Sequence, residues 1–548
     1  MPSDFGRSEP AVIAPQVLIV GAGPVGLGAA IELGQRGIRT LVVERNERVG
    51  YAPRAKTTNV RTREHMRRWG IADQLRAASP LGVDYPSDIF FVTQLAGHLL
   101  TRIPNANYCA PGRNPLYSEH GQWIPQYTVE EVMRRHAQSL PGVEIRFSAE
   151  LVSVEQDASG VRARVRDLTT DSEQTIACAY LIGADGARST VRNAIGATMD
   201  GVRRISRHYN VVFRAPGLAE AHRHGPGIMY WQVNKDVPSL VGPMDRDDRW
   251  FFAPTQVPEG MKLQDFEAPA LIRRATGIDL PYEILSSDEW TASRLIADRY
   301  RDRRVFLAGD ACHLHPPFGG YGMNMGIADA VDLGWKLAGV LQGWAAPELL
   351  ATYEVERKPV HNLVMDEAVA NHALLSHQLY RDGLEDDTPA GAAHRAHAGA
   401  QIRAAKEREF NTLGVVLGYR YANSPAIVPD GSAPPPAHFR DYVPAAHPGC
   451  LAPHAWLDDG SSLYDHFGAG FTLLADRSAE AVDIDGAVAA AAASRIPLTI
   501  LRAPSATVAD LYARRYALIR PDQHVAWRGD DLAEIGGVLR RVTGAVPA

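Results

Sequence analysis

Two carboxylates in this 548-residue chain stand where apolar runs stop abruptly. Val305-Phe-Leu-Ala308 reads as a short buried strand that ends at Gly309-Asp310, and Tyr180-Leu-Ile-Gly-Ala184 ends in the same way at Asp185-Gly186. In open α/β sheets ligands lie just beyond the carboxyl ends of strands, so acids at these positions are placed to accept hydrogen bonds from a sugar. The stretch after Asp310 is unlike ordinary core. His315-Pro316-Pro317-Phe318 removes two backbone donors and stiffens the chain, and Gly319, Gly320 and Gly322 let backbone approach a bulky ligand. A further run, Gln16-Val-Leu-Ile-Val20, leads into Gly21-Ala-Gly23-Pro24-Val-Gly26 and an Ala/Leu-rich helix through Gly34. Gly21 permits a tight turn, Gly23 clears room for a pyrophosphate, Gly26 lets helix and strand pack closely, and the helix N-terminus faces the phosphates. Glu44 closes the next run, Arg39-Thr-Leu-Val-Val43, about 20 residues on, where an acid binds a ribose.

Taken together, the Gly21/Gly23/Gly26 loop, Asp185-Gly186 and Gly309-Asp310 resemble the single-component flavoprotein aromatic hydroxylases, the family of 4-hydroxybenzoate hydroxylase and phenol hydroxylase. The resemblance implies an α/β fold: a Rossmann-like FAD-binding domain of the glutathione reductase type, an inserted antiparallel β-sheet substrate domain, and a C-terminal thioredoxin-like α/β domain. It also implies that the first loop, Pro24 included, holds the ADP part of FAD, that Asp310 binds the flavin-side ribose or ribityl chain, and that Asp185-Gly186 serves both FAD and a visiting nicotinamide nucleotide. Gln126 matches a glutamine near the ribityl chain, and Arg45 and Arg54 match arginines near the adenosine and pyrophosphate. Pro316 lies along the flavin, Pro317 matches a proline whose carbonyl faces the reacting substrate, and Gly322, Met323 and Asn324 match the turn over the pyrimidine end. That turn opens a helix whose positive N-terminus favours negative charge on reduced flavin.

The implied reaction is hydroxylation of a phenolic or polyketide-like ring by FAD, with NADPH or NADH as transient reductant and O2 as oxidant, through a flavin C4a-hydroperoxide; the difficult steps belong to the cofactor. Phenols react more readily as phenolates, so the site should hold a base or a group that lowers the substrate's pKa. Where relatives often carry Asp or His, this chain has Lys56, which would favour phenolate electrostatically or, if burial lowered its own pKa, as a base. His315 and Tyr117 are further candidates. A Baeyer–Villiger or dearomatising oxygenase on the same fold is equally compatible with these motifs, and a silent flavin- and aromatic-ligand-binding protein is the alternative from another class. A flavin-dependent halogenase is disfavoured, because Trp123-Ile-Pro lacks the preceding Trp of the halogenase motif.

The elements that must position these residues come in separated pieces: 12–77, 122–201 and 291–343 for the FAD domain, with 81–119 and 203–289 for the substrate domain. Tyr209–Arg214, Gly227–Val233 and Trp250–Ala253 read as antiparallel strands with one apolar face. Their Trp231, Trp250, Phe251 and Phe252 either close over the flavin ring or fill a core. The segment 347–424 is helical and polar, with an exposed helix near 392–405; 425–438 is a linker; 439–548 matches the thioredoxin-like domain. That domain lacks a redox dithiol, which leaves it a packing or oligomerisation role, a homodimer included.

Composition fits a soluble enzyme: 45% hydrophobic and 22% charged residues, with a net charge of -6 that points to no nucleic-acid partner. The N-terminus shows neither a secretory pattern nor a membrane span. Cys109, Cys178, Cys312 and Cys450 are far apart, which indicates neither a disulfide framework nor a metal site and fits a reducing cytoplasm.

Overall fold

The computed structural model describes residues 14–47, 55–257, 260–372 and 374–545. Arg54 and the start of the first piece at residue 12 lie outside the described residues.

Six strands form the sheet that carries the motifs, in the order Arg301–Asp302, Val305–Leu307, Tyr180–Gly183, Val17–Val20, Thr40–Val43, Val143–Arg146. All neighbours are parallel except the first pair. The inner runs are apolar on both faces because both are covered. Helices Pro24–Gly34 and Tyr321–Gln342 contribute Ala29, Leu33, Ala330 and Leu333 to the core, and an antiparallel sheet of Ala149–Gln156, Val161–Asp167 and Glu173–Cys178 contributes Leu151, Val161, Val165 and Ile176. Each fully buried Val, Leu or Ile stabilises the fold by about 1.5–3 kcal/mol, so a charge at Leu18 or Leu181 would break this layer. Register then does the positioning. Val20 pairs with Gly183 and Val43, and Gly183 with Leu307, so the strands end level and their motifs emerge along one edge.

A second sheet has eight strands, in the order His313–Leu314, Glu283–Ala297, Met199–Arg214, Arg249–Pro254, Ser239–Pro243, Met229–Gln232, Ile89–Val92, Leu99–Ile103. Its pairs are antiparallel save Met229–Gln232 with Ile89–Val92, which is parallel. The expectation of a single apolar face needs correction, because this sheet buries both. Alternate residues diverge: Ile89, Phe91, Trp231 and Phe251 pack with Phe318, while Phe90, Val92, Tyr230, Trp250 and Phe252 form a separate core under helix Ala268–Thr276. Trp231 and Phe251 therefore face the Pro-Pro-Phe turn, and Trp250 and Phe252 fill the far core.

The helix expected near 392–405 is Pro389–Phe410, and it is not simply exposed. Gly399 lies so close to the edge strand that a Cβ there would sit 2.0 Å from the Leu100 carbonyl oxygen, and Ala398, Ile402 and Phe410 are buried. Residues 425–438 contain no helix or strand, yet they are tied down: Val428 N–H donates to the Ala526 carbonyl at 2.8 Å, and Asp430 pairs with Arg528 at 2.7 Å. Beyond them lies a four-stranded sheet, in the order Leu498–Arg502, Phe471–Ala475, Tyr516–Ile519, Val525–Gly529, with helices Ala481–Ala493, Ala506–Tyr512 and Ile535–Val542. A buried ionic cluster joins this unit to the rest. Arg520 contacts Glu356 at 2.7 Å, Asp522 at 2.6 Å and Asp332 at 3.1 Å, and Lys336 contacts Glu356 at 2.6 Å and Asp332 at 2.7 Å.

Candidate active site

The glycine loop separates two demands that sequence alone cannot. A Cβ at Gly21, where φ is +105°, would lie 2.4 Å from the Ala184 carbonyl oxygen, and one at Gly26 would lie 1.9 Å from the Gly21 oxygen. Packing explains both. A Cβ at Gly23 would meet nothing within 4 Å, and the same holds at Gly186, where φ is +77°. Gly23 is also the N-cap of Pro24–Gly34, with no side-chain cap and no acidic residue in the first turn, so no side chain of its own caps the leading N–H groups. These residues fit a phosphate-bearing cofactor. Glu44 lies at the adjacent strand end, with one carboxylate oxygen accepting from Ala22 N–H at 2.9 Å and the other from the Asn46 backbone N–H at 2.9 Å. Arg45 is exposed beside it.

At the next strand end the Asp185 carboxylate caps helix Thr190–Ala194, accepting from Ser189 Oγ at 2.5 Å and Val191 N–H at 3.1 Å. The open position there is Gly186. Arg192 bridges this loop to its neighbour by donating to the Ala187 carbonyl at 2.9 Å and the Ala311 carbonyl at 3.1 Å. Asp310 stands exposed beyond the buried Val305–Leu307 strand.

Beneath Asp310 is a hub the sequence reading missed. Asp329 is fully buried and accepts from Gly309 N–H at 3.1 Å, His313 Nε2 at 2.7 Å, His361 Nε2 at 2.8 Å and Arg357 Nε at 2.8 Å. Burial alone would raise its pKa, but His361, His313 and Arg357 hold it well below the usual carboxylate range. Acids and a lysine at 329, 332 and 336 inside an otherwise apolar helix were the available signal.

His315 is held neutral: burial and the neighbouring His313 and His361 push its pKa well below the usual imidazole value, and neither ring nitrogen has a hydrogen-bond partner among the described residues. The three imidazoles lie close together, but His313 and His361 stack at 3.8 Å with planes 26° apart, so their in-plane lone pairs run nearly parallel and do not converge on one ion. Asp332, Glu356 and Asp522 are already bridged by Lys336 and Arg520. Tyr117 packs in another cluster with Tyr321 and Val360, and burial raises its pKa to about 12.

The turn itself is held from several sides. Pro316 is buried and Pro317 exposed, with the Pro317 carbonyl accepting from Gly320 N–H at 3.1 Å, so this oxygen closes the turn. Gly319 and Gly320 both have positive φ, +87° and +67°. Gly320 then caps helix Tyr321–Gln342 without a side-chain partner, which leaves the N–H groups around Gly322 and Met323 at the helix mouth. Asn324 differs from expectation. Its buried amide accepts from Asn59 N–H at 3.0 Å and donates to the Thr57 carbonyl at 3.0 Å and the Gly320 carbonyl at 2.6 Å, which occupies both of its donors. The side chain staples the turn to Thr57–Thr58 and does not reach for a cofactor. Glu409, at the end of Pro389–Phe410, accepts from Gly319 N–H and pairs with Lys406 at 2.6 Å; neither residue was singled out from sequence.

Lys56 enters this region from the strand pair Thr57–Thr58 and Gln122–Trp123. Its Nζ lies 4.3 Å from the centroid of Phe251, whose ring is 6.3 Å from Trp123. Among the described residues it has no carboxylate partner, and burial lowers its pKa to about 8. Gln126 is placed next to it by donating its backbone N–H to the Ala55 carbonyl at 2.9 Å, and its side-chain amide donates to Glu130 at 2.7 Å. A cleft of about 280 Å³, open mouth included, reaches Trp123 past Tyr85, Cys109 and His120, none of which belongs to the strand-end motifs.

Comparison with known proteins agrees with this geometry. Residues 14–368 match the FAD binding domain family, and residues 445–546 match the aromatic-ring hydroxylase C-terminal family. The chain is 34% identical to 2,4-dichlorophenol 6-monooxygenase of Delftia acidovorans, over 94% of this chain and 95% of that one. It is 35% identical to aklavinone 12-hydroxylase DnrF of Streptomyces peucetius, over 84% and 91%. Among solved structures, the flavin-dependent monooxygenase PieE in complex with FAD and substrate superposes with a TM-score of 0.87 at 33% identity, covering 98% of this chain and 100% of that one. With open backbone at Gly23 and Gly186, level strand ends and matches to both families, the chain belongs to the FAD-dependent aromatic-ring hydroxylases.

Proposed function

We propose that this monooxygenase hydroxylates a phenolic or polyketide-like ring bound between the Phe318 turn and the sheet face carrying Phe251 and Trp231, with NADPH or NADH as reductant. The observation that carries the reading is Lys56, an ammonium without a carboxylate partner among the described residues, set against the Phe251 ring on that sheet face. A cation in a low-dielectric site lowers the pKa of a neighbouring phenol, and with its own pKa near 8 Lys56 is mostly protonated at neutral pH.

Bound FAD supplies oxygen activation and transfer. The loop at Gly21, Gly23, Pro24 and Gly26 and the helix behind it take the pyrophosphate, Glu44 and Arg45 the adenosine side, and Gly186, Gln126 and Asp310 the chain toward the flavin. Pro316 and Pro317 flank the ring, and the N–H groups at Gly322 and Met323 favour negative charge at its pyrimidine end. The Asp329 hub and Asn324 hold Gly309 and Gly320 in place for these contacts. Four free, buried cysteines support a reducing cytoplasm as the compartment. The test is titration of the holoenzyme with phenols whose phenolate absorbs separately. Wild type should bind phenolate and turn over; Lys56→Met should retain FAD but lose the phenolate signal and about 10²-fold in turnover. Unchanged phenolate binding in that variant would sink the role given to Lys56.

A further inference from the structure

The Phe318 turn and the sheet face opposite it are tied together by a buried ion pair that belongs to no cofactor motif. Both partners lie in the last turns of helix Pro389–Phe410: Lys406 is 1% exposed and Glu409 3%, and they approach to 2.6 Å. Lys406 belongs to the sheet side. Its Nζ stands 4.2 Å from the centroid of Trp231 and donates to the Asn371 carbonyl at 3.4 Å, while Trp231 itself stacks on Phe91 at 5.4 Å and meets Phe410 edge-on at 6.4 Å. Glu409 belongs to the turn side, where it accepts from Gly319 N–H.

A pair this deeply buried adds little net stability, because desolvation offsets the attraction, and apolar residues of similar volume often serve the fold as well. What it does supply is a fixed distance. The turn needs one: Gly319 and Gly320 are consecutive left-handed residues, φ +87° and +67°, and so form a soft joint. Gly320 is held by Pro317 and Asn324, but behind Gly319 lies a cleft of about 270 Å³, open mouth included, lined by Val60, Tyr108, Leu413 and Val416 among others. Packing from that side does not fix Gly319. The helix that carries Glu409 is itself seated on the edge strand Leu99–Ile103 through Gly399, so the carboxylate refers the turn to the sheet.

We infer that Glu409 is a positioning residue for oxygen transfer, with Lys406 as its footing on Trp231: the pair sets the gap between the Phe318 turn and the sheet face. The inference rests on the reading above, in which the ring lies between those two surfaces. With the pair in place, NADPH, a proton, O2 and the ring give NADP+, water and the hydroxylated ring. Without it the turn can retreat toward the cleft behind Gly319 and the ring is held out of line. The same NADPH, proton and O2 then leave as NADP+ and hydrogen peroxide, and the ring is unchanged.

The experiment measures product and peroxide per NADPH in the holoenzyme, on the ring that wild type oxygenates fastest among phenols, salicylates and fused-ring polyketides. The variants are Glu409→Gln, Glu409→Leu and the double variant Lys406→Met with Glu409→Leu, which removes both buried charges and guards against a folding defect. The double variant should keep FAD and the thermal midpoint of wild type, yet yield about 10-fold less product per NADPH, with peroxide making up the difference. The change in flavin absorbance that the ring induces in the resting holoenzyme should shrink with it. Glu409→Gln keeps an acceptor for Gly319 N–H and a partner for Lys406, so it should restore both readouts relative to Glu409→Leu. Wild-type product yield in the double variant, or equal loss in Glu409→Gln and Glu409→Leu, overturns the positioning role and leaves the hydroxylase reading standing. Failure of wild type to oxygenate any ring overturns that reading and this role with it.

Discussion

The Lys56 ammonium lies 4.3 Å above the Phe251 ring, on the one sheet face that also meets Phe318. A half-buried cation set against an aromatic face, with no carboxylate partner among the described residues, costs stability, so it should reveal itself through pH. Below pH 8 the charge is present; as pH rises through about 8 it is lost. Phenolate affinity should therefore fall through pH 8 in wild type, and this fall should be absent in Lys56→Met, as read by ligand titration across pH.

The same shift makes a prediction for the fold. The unfolded chain keeps the lysine proton up to its ordinary value of 10.5, so between about 8 and 10.5 it binds more protons than the native state, and stability rises with pH in that window. Below pH 8, Lys56→Met should be the more stable protein, by roughly 1–3 kcal/mol once partial exposure is discounted. Denaturant titration at pH 7 checks the sign.

Gly23 and Gly26 should fail differently. A side chain at Gly26 collides with the Gly21 carbonyl oxygen, whereas one at Gly23 enters empty space. Gly26→Val should misfold; Gly23→Val should give a folded, colourless protein with the thermal stability of wild-type apoprotein. Flavin absorbance measured alongside a melting curve separates the two, and a yellow Gly23→Val would show that the space is not the cofactor's.

Which parts were legible depended on how local their causes are. Gly21, Asp185 and Asp310 announce themselves because each ends an apolar run, and parallel register does the rest. Lys56 was visible only as a departure from relatives, and its aromatic setting required the sheet. The hub was hidden because Gly309, Asp329, Arg357 and His361 come from three separate segments. The two-faced sheet was hidden because runs such as Ile89-Phe-Phe-Val92 are apolar throughout and carry no alternation to read. Pro389–Phe410 looked solvated because its contact with the edge strand is made by Gly399, a residue with no side chain to advertise it.

Asp329→Asn should lose about 3–5 kcal/mol, because it strips a buried charge from Arg357 and weakens the anchor on Gly309. With its folded pKa well below the ordinary 3.8, the Asp329 contribution is complete above that value and is lost as pH falls beneath it. Acid unfolding of wild type and variant, together with FAD retention on gel filtration, tests both halves.

Arg520→Met should cost a similar amount, about 3–5 kcal/mol, because Asp332 and Glu356 would be left with Lys336 alone and Asp522 would lose its guanidinium partner. Since Glu356 sits on helix Thr352–His372, urea unfolding followed by flavin fluorescence should shift along with the far-ultraviolet signal. Unfolding of the C-terminal sheet with flavin still bound would contradict the joined core.

The most direct test of the whole account is oxygen and NADPH consumption by the purified holoenzyme across phenols, salicylates and fused-ring polyketides, with product mass recorded. The account predicts at least one ring that accelerates NADPH oxidation and gains one oxygen atom, about 16 mass units. Bound FAD with no oxygenated product from any ring, and reduction that only yields peroxide, would contradict it.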